Sequence, residues 1–182
     1  GEKCNKNFFR AGGSTDGRSY AVAQWAAKQG YTKIAGIVQD YSFGQEALAA
    51  FKKKMLELNP KVEFVAELYH PIGTKDFAPY ISQLVSADPE MIFTSNWGND
   101  LTLLVKQGKP MGMKAPIAAY FANDDVMVKG VANDEAVIGT LAMEMYMISI
   151  PTEANKTFVK NFHAATGHYP VGSIGKAYNG IT

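Results

Sequence analysis

Residues 33–51 read KIAGIVQDYSFGQEALAAF, and the fold turns on how that stretch is divided. The run IAGIV, residues 34–38, has no polar face, as expected of a strand buried on both sides in a parallel sheet. From Ala47 onward the spacing becomes helical, with Leu48, Phe51 and Met55 on one face, and Asn59-Pro60 closes the run. A buried strand feeding a helix is the repeating unit of a parallel sheet built by right-handed crossovers. Between the two stands QDYSFGQ, residues 39–45, a loop carrying two aromatics and a glycine where short polar residues would be ordinary.

The same alternation extends in both directions. Upstream, a short run at residues 7–10 precedes a helix predicted over 15–29, with Asp16 in its first turn and Gly30 as its stop. Downstream, residues 62–69 read as a strand, and Phe77, Tyr80 or Ile81, and Leu84 form a helical face ended by Asp88-Pro89. Strands follow at 91–94, 116–119 and 137–143, with helices at 98–107 and 124–129 between them. Thr152 is placed to cap a last long helix, 153–166, that buries Phe158 and Phe162. The pattern predicts an α/β fold: a doubly wound, mainly parallel sheet flanked by helices.

Composition narrows the function classes. The 182 residues are 47% hydrophobic and 19% charged, enough for a real core. With 18 basic against 17 acidic residues the net charge is +1, which gives no electrostatic support for binding nucleic acid or an anionic membrane. The apolar stretches are too short and interrupted to span a bilayer. The single cysteine, Cys4, rules out a disulfide or a cysteine-based metal site within the sequence. It reads either as a tolerated thiol or as half of a disulfide whose partner lies elsewhere.

In a doubly wound sheet the strand-to-helix loops share one edge, and ligands bind there. Three such loops carry rings: Tyr41 and Phe43 in QDYSFGQ, Trp97 in SNWGND, and Tyr120 and Phe121 in AYFANDD. Their polar residues are amides and hydroxyls: Ser42, Gln45, Ser95, Asn96, Asn99 and Asn123. Groups of this kind hold a small molecule by stacking and hydrogen bonding without activating it. Whether Tyr41 faces the mouth or packs on its own domain stays open at this level.

Reactive chemistry is scarce. His70, His163 and His168 fall outside the three ring-bearing loops, and no HExxH, GxSxG or Walker-type glycine loop occurs. The glycines of AGGSTDGRS, residues 11–19, do not fit GxGxxG and read as a flexible crossover. Asp124 and Asp125 at a helix start read as a dipole-matched cap rather than a metal site. No catalytic residue, metal site or cofactor is expected.

Three blocks carry a family resemblance. DYSFGQ at residues 40–45, DFAP at 76–79 and ADP at 87–89 stand in an order and spacing that resembles the substrate-binding proteins of branched-chain amino acid ABC transporters. The similarity extends over nearly the whole chain. It implies a bilobed type I periplasmic-binding-protein fold that closes on its ligand about a hinge. It further implies that this sequence is the second lobe, residues 15–168. Residues 1–14 then cross over from an N-terminal lobe outside the sequence, and residues 169–182 return toward it. A secreted parent would give Cys4 an oxidising environment and a partner in the other lobe.

What the resemblance implies for function is an extracytoplasmic solute-binding component that delivers its ligand to a membrane permease. The location implied is the periplasm, or a lipid anchor outside a single-membrane cell. The alternative is the ligand-sensing domain of a receptor or regulator with the same fold. Carried over by position, Phe43 stands where the family often has a ligand-contacting tyrosine, and Trp97 fits the next contact. Phe121 or Tyr120 falls where amino-acid-binding members have an acid that pairs with the ligand ammonium. A buried ammonium without a carboxylate is costly, so this departure favours an aromatic carboxylate over leucine. The implied ligand-binding set is Tyr41, Phe43, Trp97, Tyr120 and Phe121.

Overall fold

A computed structural model describes residue 7 and residues 12–131, 139–144 and 146–181. Cys4, residues 8–10 and the first two residues, 137 and 138, of the strand expected at 137–143 lie outside the described residues. The elements in chain order are α1 (Thr15–Gln29), β1 (Lys33–Gln39), α2 (Ser42–Leu58), β2 (Glu63–His70), α3 (Ala78–Ala87) and β3 (Met91–Thr94). They continue with α4 (Gly98–Gly108), β4 (Ile117–Ala119), α5 (Asp125–Gly130), β5 (Leu141–Ala142), α6 (Glu153–Thr166) and α7 (Gly172–Ile181).

Residues 15–143 form one compact unit built on a five-stranded sheet in the order β2-β1-β3-β4-β5, with every pairing parallel. The period of two along each strand sorts its side chains between two cores. Ile34 and Val38 of β1, with Met91 and Phe93 of β3, pack under α1 and α2 against Val22, Ala26, Leu48, Phe51 and Met55. Phe51 and Phe93 stack face to face with centroids 4.2 Å apart. Ala35, Ile37 and Ile92 point the other way, to Phe77 just before α3, Ile81 and Leu84 of α3, and Leu101, Leu104 and Val105 of α4. A strand with both faces covered is filled with apolar side chains, which is why IAGIV and MIF read as unbroken apolar runs, with buried polar Gln39 and Thr94 only at the strand ends.

Helix α2 starts at Ser42, five residues before its apolar spacing becomes visible in the sequence. Its first turn therefore contains Phe43, Gly44 and Gln45. The reason lies at Gly44: a Cβ there would collide with the backbone carbonyl of Gln39, so only glycine lets the helix begin hard against the strand end. Helix α4 starts comparably, with Gly98 at φ +59° directly after Trp97.

Tyr120, expected at the ligand-facing mouth, is a correction. It lies one residue past β4, on the α1/α2 side of the sheet, and is 0% exposed. Its hydroxyl lies against Ser19 Oγ and donates to the Thr15 carbonyl at 3.2 Å, while Ser19 Oγ donates to the Ala47 carbonyl at 2.8 Å. The buried phenol pins the first turn of α1 to the end of β4 and leaves no surface for a ligand. Burial pushes its pKa up to about 12, against the smaller opposing pulls of Ser19 and of the Arg18 charge.

Residues 144–181 belong to a second unit. There Thr152 caps α6 by accepting from the Asn155 amide, as the sequence predicts, and Phe158 stacks on Tyr178 of α7 at 4.2 Å. Phe158 and Phe162 are half-buried rather than fully enclosed. Helix α7 occupies residues that read from sequence only as a connecting segment, because its glycines dilute the helical signal.

Two outcomes test this account. Gly44→Ala should destabilise the unit by about 1–3 kcal/mol in chemical denaturation, since a backbone carbonyl cannot step aside as a side chain can. The folded phenol of Tyr120 titrates above its unfolded value near 10, so its contribution is complete below pH 10 and is lost as pH rises toward 12. Unfolding free energies measured across that interval should therefore decline by about 2 kcal/mol more in the wild type than in Tyr120→Phe.

Candidate ligand-binding rim

Strand order reverses between β1 and β3: the chain leaves β1 toward β2 on one side and leaves β3 toward β4 on the other. The two loops diverge there and open a crevice at the carboxyl edge, where ligands of such sheets bind. Tyr41, the residue before α2, and Trp97, the residue before α4, stand on its two banks. Trp97 Nε1–H donates to Tyr41 Oη at 3.0 Å and joins them.

From there the rings run on without interruption. Tyr41 lies 5.9 Å from Phe43, and Phe43 lies 6.2 Å from Phe121, all in tilted contacts typical of aromatic pairs. Trp97 remains 44% exposed, while Tyr41, Phe43 and Phe121 are half-buried. The four rings make one apolar ledge along the β1, β3 and β4 ends. Tyr120 supports it from below, edge-on to Phe43 at 6.1 Å. Arg18, in the first turn of α1, adds a guanidinium 5.0 Å from the centre of the Phe121 ring.

Neither Tyr41 nor Trp97 supplies a side-chain cap to its helix. The first-turn amides of α2 and α4 therefore present the positive ends of two helix dipoles at the rim.

Beneath the ledge lies a buried polar layer. Gln39 pairs with His70 in the β1–β2 register, and Asn96 follows β3 by two residues. His70 is fully buried; Asn96 Nδ2 donates to its Nε2 at 2.8 Å, and its Nδ1 reaches the Pro71 carbonyl at 3.0 Å. Asp100, 4% exposed in the first turn of α4, accepts from Gln39 Nε2 at 2.7 Å and from the Gly73 amide at 3.0 Å. These bonds tie the β1 end, the β2–α3 loop and the α4 start together. Gln39 Oε1, Ser95 Oγ and Asn96 Oδ1 are buried atoms with no hydrogen-bond partner among the described residues.

The structure thus brings Tyr41, Phe43, Trp97 and Phe121 together and sets Tyr120 behind them. Of the polar residues expected at the rim, Ser42, Gln45 and Asn99 are exposed, whereas Ser95 and Asn96 are buried and belong to the layer below. Asp124 caps α5 by accepting from the Met127 amide at 2.7 Å. His163 and His168 are exposed and far along the chain from the ledge. Among the described residues no group of three or more His, Cys, Asp or Glu side chains could hold a metal ion. A cavity of about 420 Å³ lined by Val105, Met113, Pro116 and Ile117 opens at the opposite, amino edge of β4.

Sequence reasoning missed Arg18, Gln39, His70 and Asp100. A signal exists for two of them: Gln39 and His70 are polar residues that end otherwise apolar or alternating strands. Such a polar terminus marks the edge where a sheet meets its binding crevice.

Comparison with known proteins agrees with this geometry. Residues 1–181 match the family described as periplasmic binding protein. Over 93% of its length the chain is 29% identical to the Leu/Ile/Val-binding protein homolog 4 of Brucella abortus, and it covers 41% of that relative. The leucine-, isoleucine-, valine-, threonine- and alanine-binding protein of Brucella ovis, in a closed conformation, superposes with a TM-score of 0.84 at 27% identity, with 100% of this chain and 46% of that one covered. A solute-binding protein of an ABC transporter from Rhodopseudomonas palustris BisB5, in complex with 3,4-dihydroxybenzoic acid, gives 0.74 at 27% identity, covering 94% and 47%. The chain spans less than half the length of each of these relatives. Its sheet is that of the type I periplasmic binding proteins, and the chain belongs to the periplasmic binding protein family.

Proposed function

We propose that this chain is one lobe of an extracytoplasmic solute-binding component of an ABC transporter, which grips a small carboxylate ligand and presents it to a membrane permease. The observation that carries the reading is the aromatic ledge closed over the switch point by the Trp97–Tyr41 hydrogen bond. Its rings offer flat stacking surface, its surroundings offer hydrogen bonds, and its exposed groups include no nucleophile paired with a base. A ledge open to solvent on one side suits a clamp whose opposing jaw is a second lobe outside residues 1–182.

The two relatives at 27% identity differ in what their names record, amino acids from leucine to threonine and alanine for one and a dihydroxybenzoic acid for the other. The ledge supports the second class for this chain. Phe121 occupies it with a hydrocarbon ring, and the Arg18 guanidinium carbon lies 5.0 Å from the centre of that ring. At that position an ammonium would face a ring rather than an acid, and an ammonium left unpaired on closure would cost several kcal/mol.

In the full-length protein Trp97→Ala should weaken ligand binding by about 1–3 kcal/mol through lost stacking and burial, read by titration calorimetry. Unchanged affinity would remove Trp97 from the site. A thermal-shift comparison should show 3,4-dihydroxybenzoate raising the melting temperature more than leucine at equal concentration. The reverse order would overturn the aromatic-carboxylate assignment while leaving the solute-binding role in place.

A further inference from the structure

His70 is a fully buried titratable group that does not touch the ledge, and its neighbours fix which of its nitrogens carries hydrogen. Nδ1 lies 3.0 Å from the Pro71 carbonyl and 3.3 Å from Thr74 Oγ1. Thr74 Oγ1 donates its own hydrogen to the same carbonyl at 2.7 Å, so both neighbours of Nδ1 accept. Nδ1 therefore carries the hydrogen, and Nε2 keeps a lone pair. Asn96 Nδ2 donates to that lone pair at 2.8 Å, which orients the Asn96 amide and leaves its Oδ1 with no partner among the described residues. Gln39 follows the same logic on the strand end between them: its Nε2 donates to Asp100, and its Oε1 is left over. Two amide oxygens in one buried layer thus lack a donor.

A proton on Nε2 would set N–H against N–H at the Asn96 contact. A half-turn of the Asn96 amide relieves this: Oδ1 then accepts from the imidazolium, and the Nδ2 hydrogens turn into the place that Oδ1 held. Buried N–H groups need acceptors, so the segment has to shift to supply them. Behind Asn96, β3 is paired on both sides within the sheet, and the Asn96 amide is tied to Thr94 Oγ1 at 3.1 Å. Ahead of it stands Trp97, 44% exposed and directly before α4. The shift is therefore passed forward, to the indole and its bond with Tyr41.

Charged and titratable groups surround His70 on every side. Helix α4 contributes Asp100, which accepts from Gln39 and the Gly73 amide. The β1 end contributes Asp40, whose amide donates to the His70 carbonyl at 2.7 Å and whose carboxylate accepts from Gln45. The β2–α3 loop contributes exposed Lys75 and Asp76, the latter accepting from the Ala78 amide at 2.9 Å. Tyr80 of α3 lies ring to ring at 5.8 Å, and Tyr69 precedes His70 on β2. The hydrogen bonds of the imidazole itself go to Pro71, Thr74 and Asn96, all neutral.

We infer that His70 is a positioning residue of the ledge: as a neutral imidazole it holds Asn96, and through it Trp97, in the ligand-gripping arrangement, and a proton taken up at Nε2 releases that hold. The inference rests on the solute-binding reading above and adds to it a control by pH. The ligand is gripped near neutrality and held less tightly in acid.

The test uses the full-length protein labelled with 5-fluorotryptophan, the Trp97 resonance being identified by its loss in W97F. Between about pH 8 and pH 5, where an imidazole changes charge, the wild-type Trp97 resonance should move through one titration step. H70Q offers Asn96 an acceptor but does not titrate, and its resonance should stay in place. N96D presents an acceptor to the imidazole in either orientation and should move the midpoint up by about one pH unit or more. Calorimetry with 3,4-dihydroxybenzoate at about pH 7.5 and pH 5.5 should show wild-type affinity falling about threefold or more in acid, and H70Q affinity changing by less than about twofold. Melting curves establish that each variant is folded, and N96D carries the test where H70Q does not fold. A wild-type resonance that does not titrate, one that titrates equally in H70Q, or a folded N96D with an unmoved midpoint would overturn the inference. Equal pH ratios of affinity in wild type and H70Q would overturn the control of binding. The fluorine readout needs no ligand, so the two readings fail separately: a resonance that follows His70 in a protein that does not bind the probe upholds the positioning role and removes the ligand assignment.

Discussion

The divergence of the chain at the ends of β1 and β3 is the constraint from which the rest of the molecule's rim follows. Two parallel neighbours whose crossovers leave in opposite directions cannot have their outgoing loops packed on one another. A gap must open there, and what the sequence places on its banks decides its chemistry. In this protein both banks carry rings, and the Trp97–Tyr41 hydrogen bond spans them. The gap becomes a ledge. A hydrogen bond between two partly exposed side chains contributes only about 0.5–1.5 kcal/mol, so its value lies in orientation rather than stability. It holds the indole at one tilt while leaving 44% of Trp97 uncovered.

Orientation at the rim is backed by the layer beneath. Asp100 binds groups from two other segments, and His70 and Asn96 join the β2 and β3 ends across β1. Buried polar groups are costly to enclose, and an apolar core of the same volume would be at least as stable. Their effect here is to specify: each bond has one geometry, so the loops above cannot slide as they could over a purely hydrophobic surface. Among the described residues Gln39 Oε1, Ser95 Oγ and Asn96 Oδ1 have no partner, so the layer carries a desolvation cost beside its bonds. That trade is expected where a fold carries a binding surface.

Charge enters from outside the sheet loops. The guanidinium beside Phe121 comes from α1, an element that packs on the opposite side of the sheet from α4. The link is Tyr120. With its phenol buried against Ser19 and Thr15, the ring that looked like a ligand contact instead fixes where Arg18 stands. Ledge, buried layer and cation thus come from different parts of the chain and meet only at the carboxyl edge.

Much of this was legible in the residues. Apolar runs such as IAGIV and MIF determined strands covered on both faces, because a run without a polar side has nowhere else to go. The rings of QDYSFGQ, SNWGND and AYFANDD determined that the sheet edge is aromatic, and Thr152 and Asp124 determined helix starts through local capping. These signals are local, acting within a few residues of the chain. The early start of α2 left no such signal, since first-turn residues need no apolar periodicity and Gly44 is dictated by the Gln39 carbonyl it passes. Only the tertiary structure decided that Tyr120 faces inward while Phe121 faces the ledge: that depends on which side of β4 helix α1 covers. Only it brought Arg18 to Phe121 and His70 to Asn96, because sheet order and register, not sequence spacing, set which distant residues share an edge.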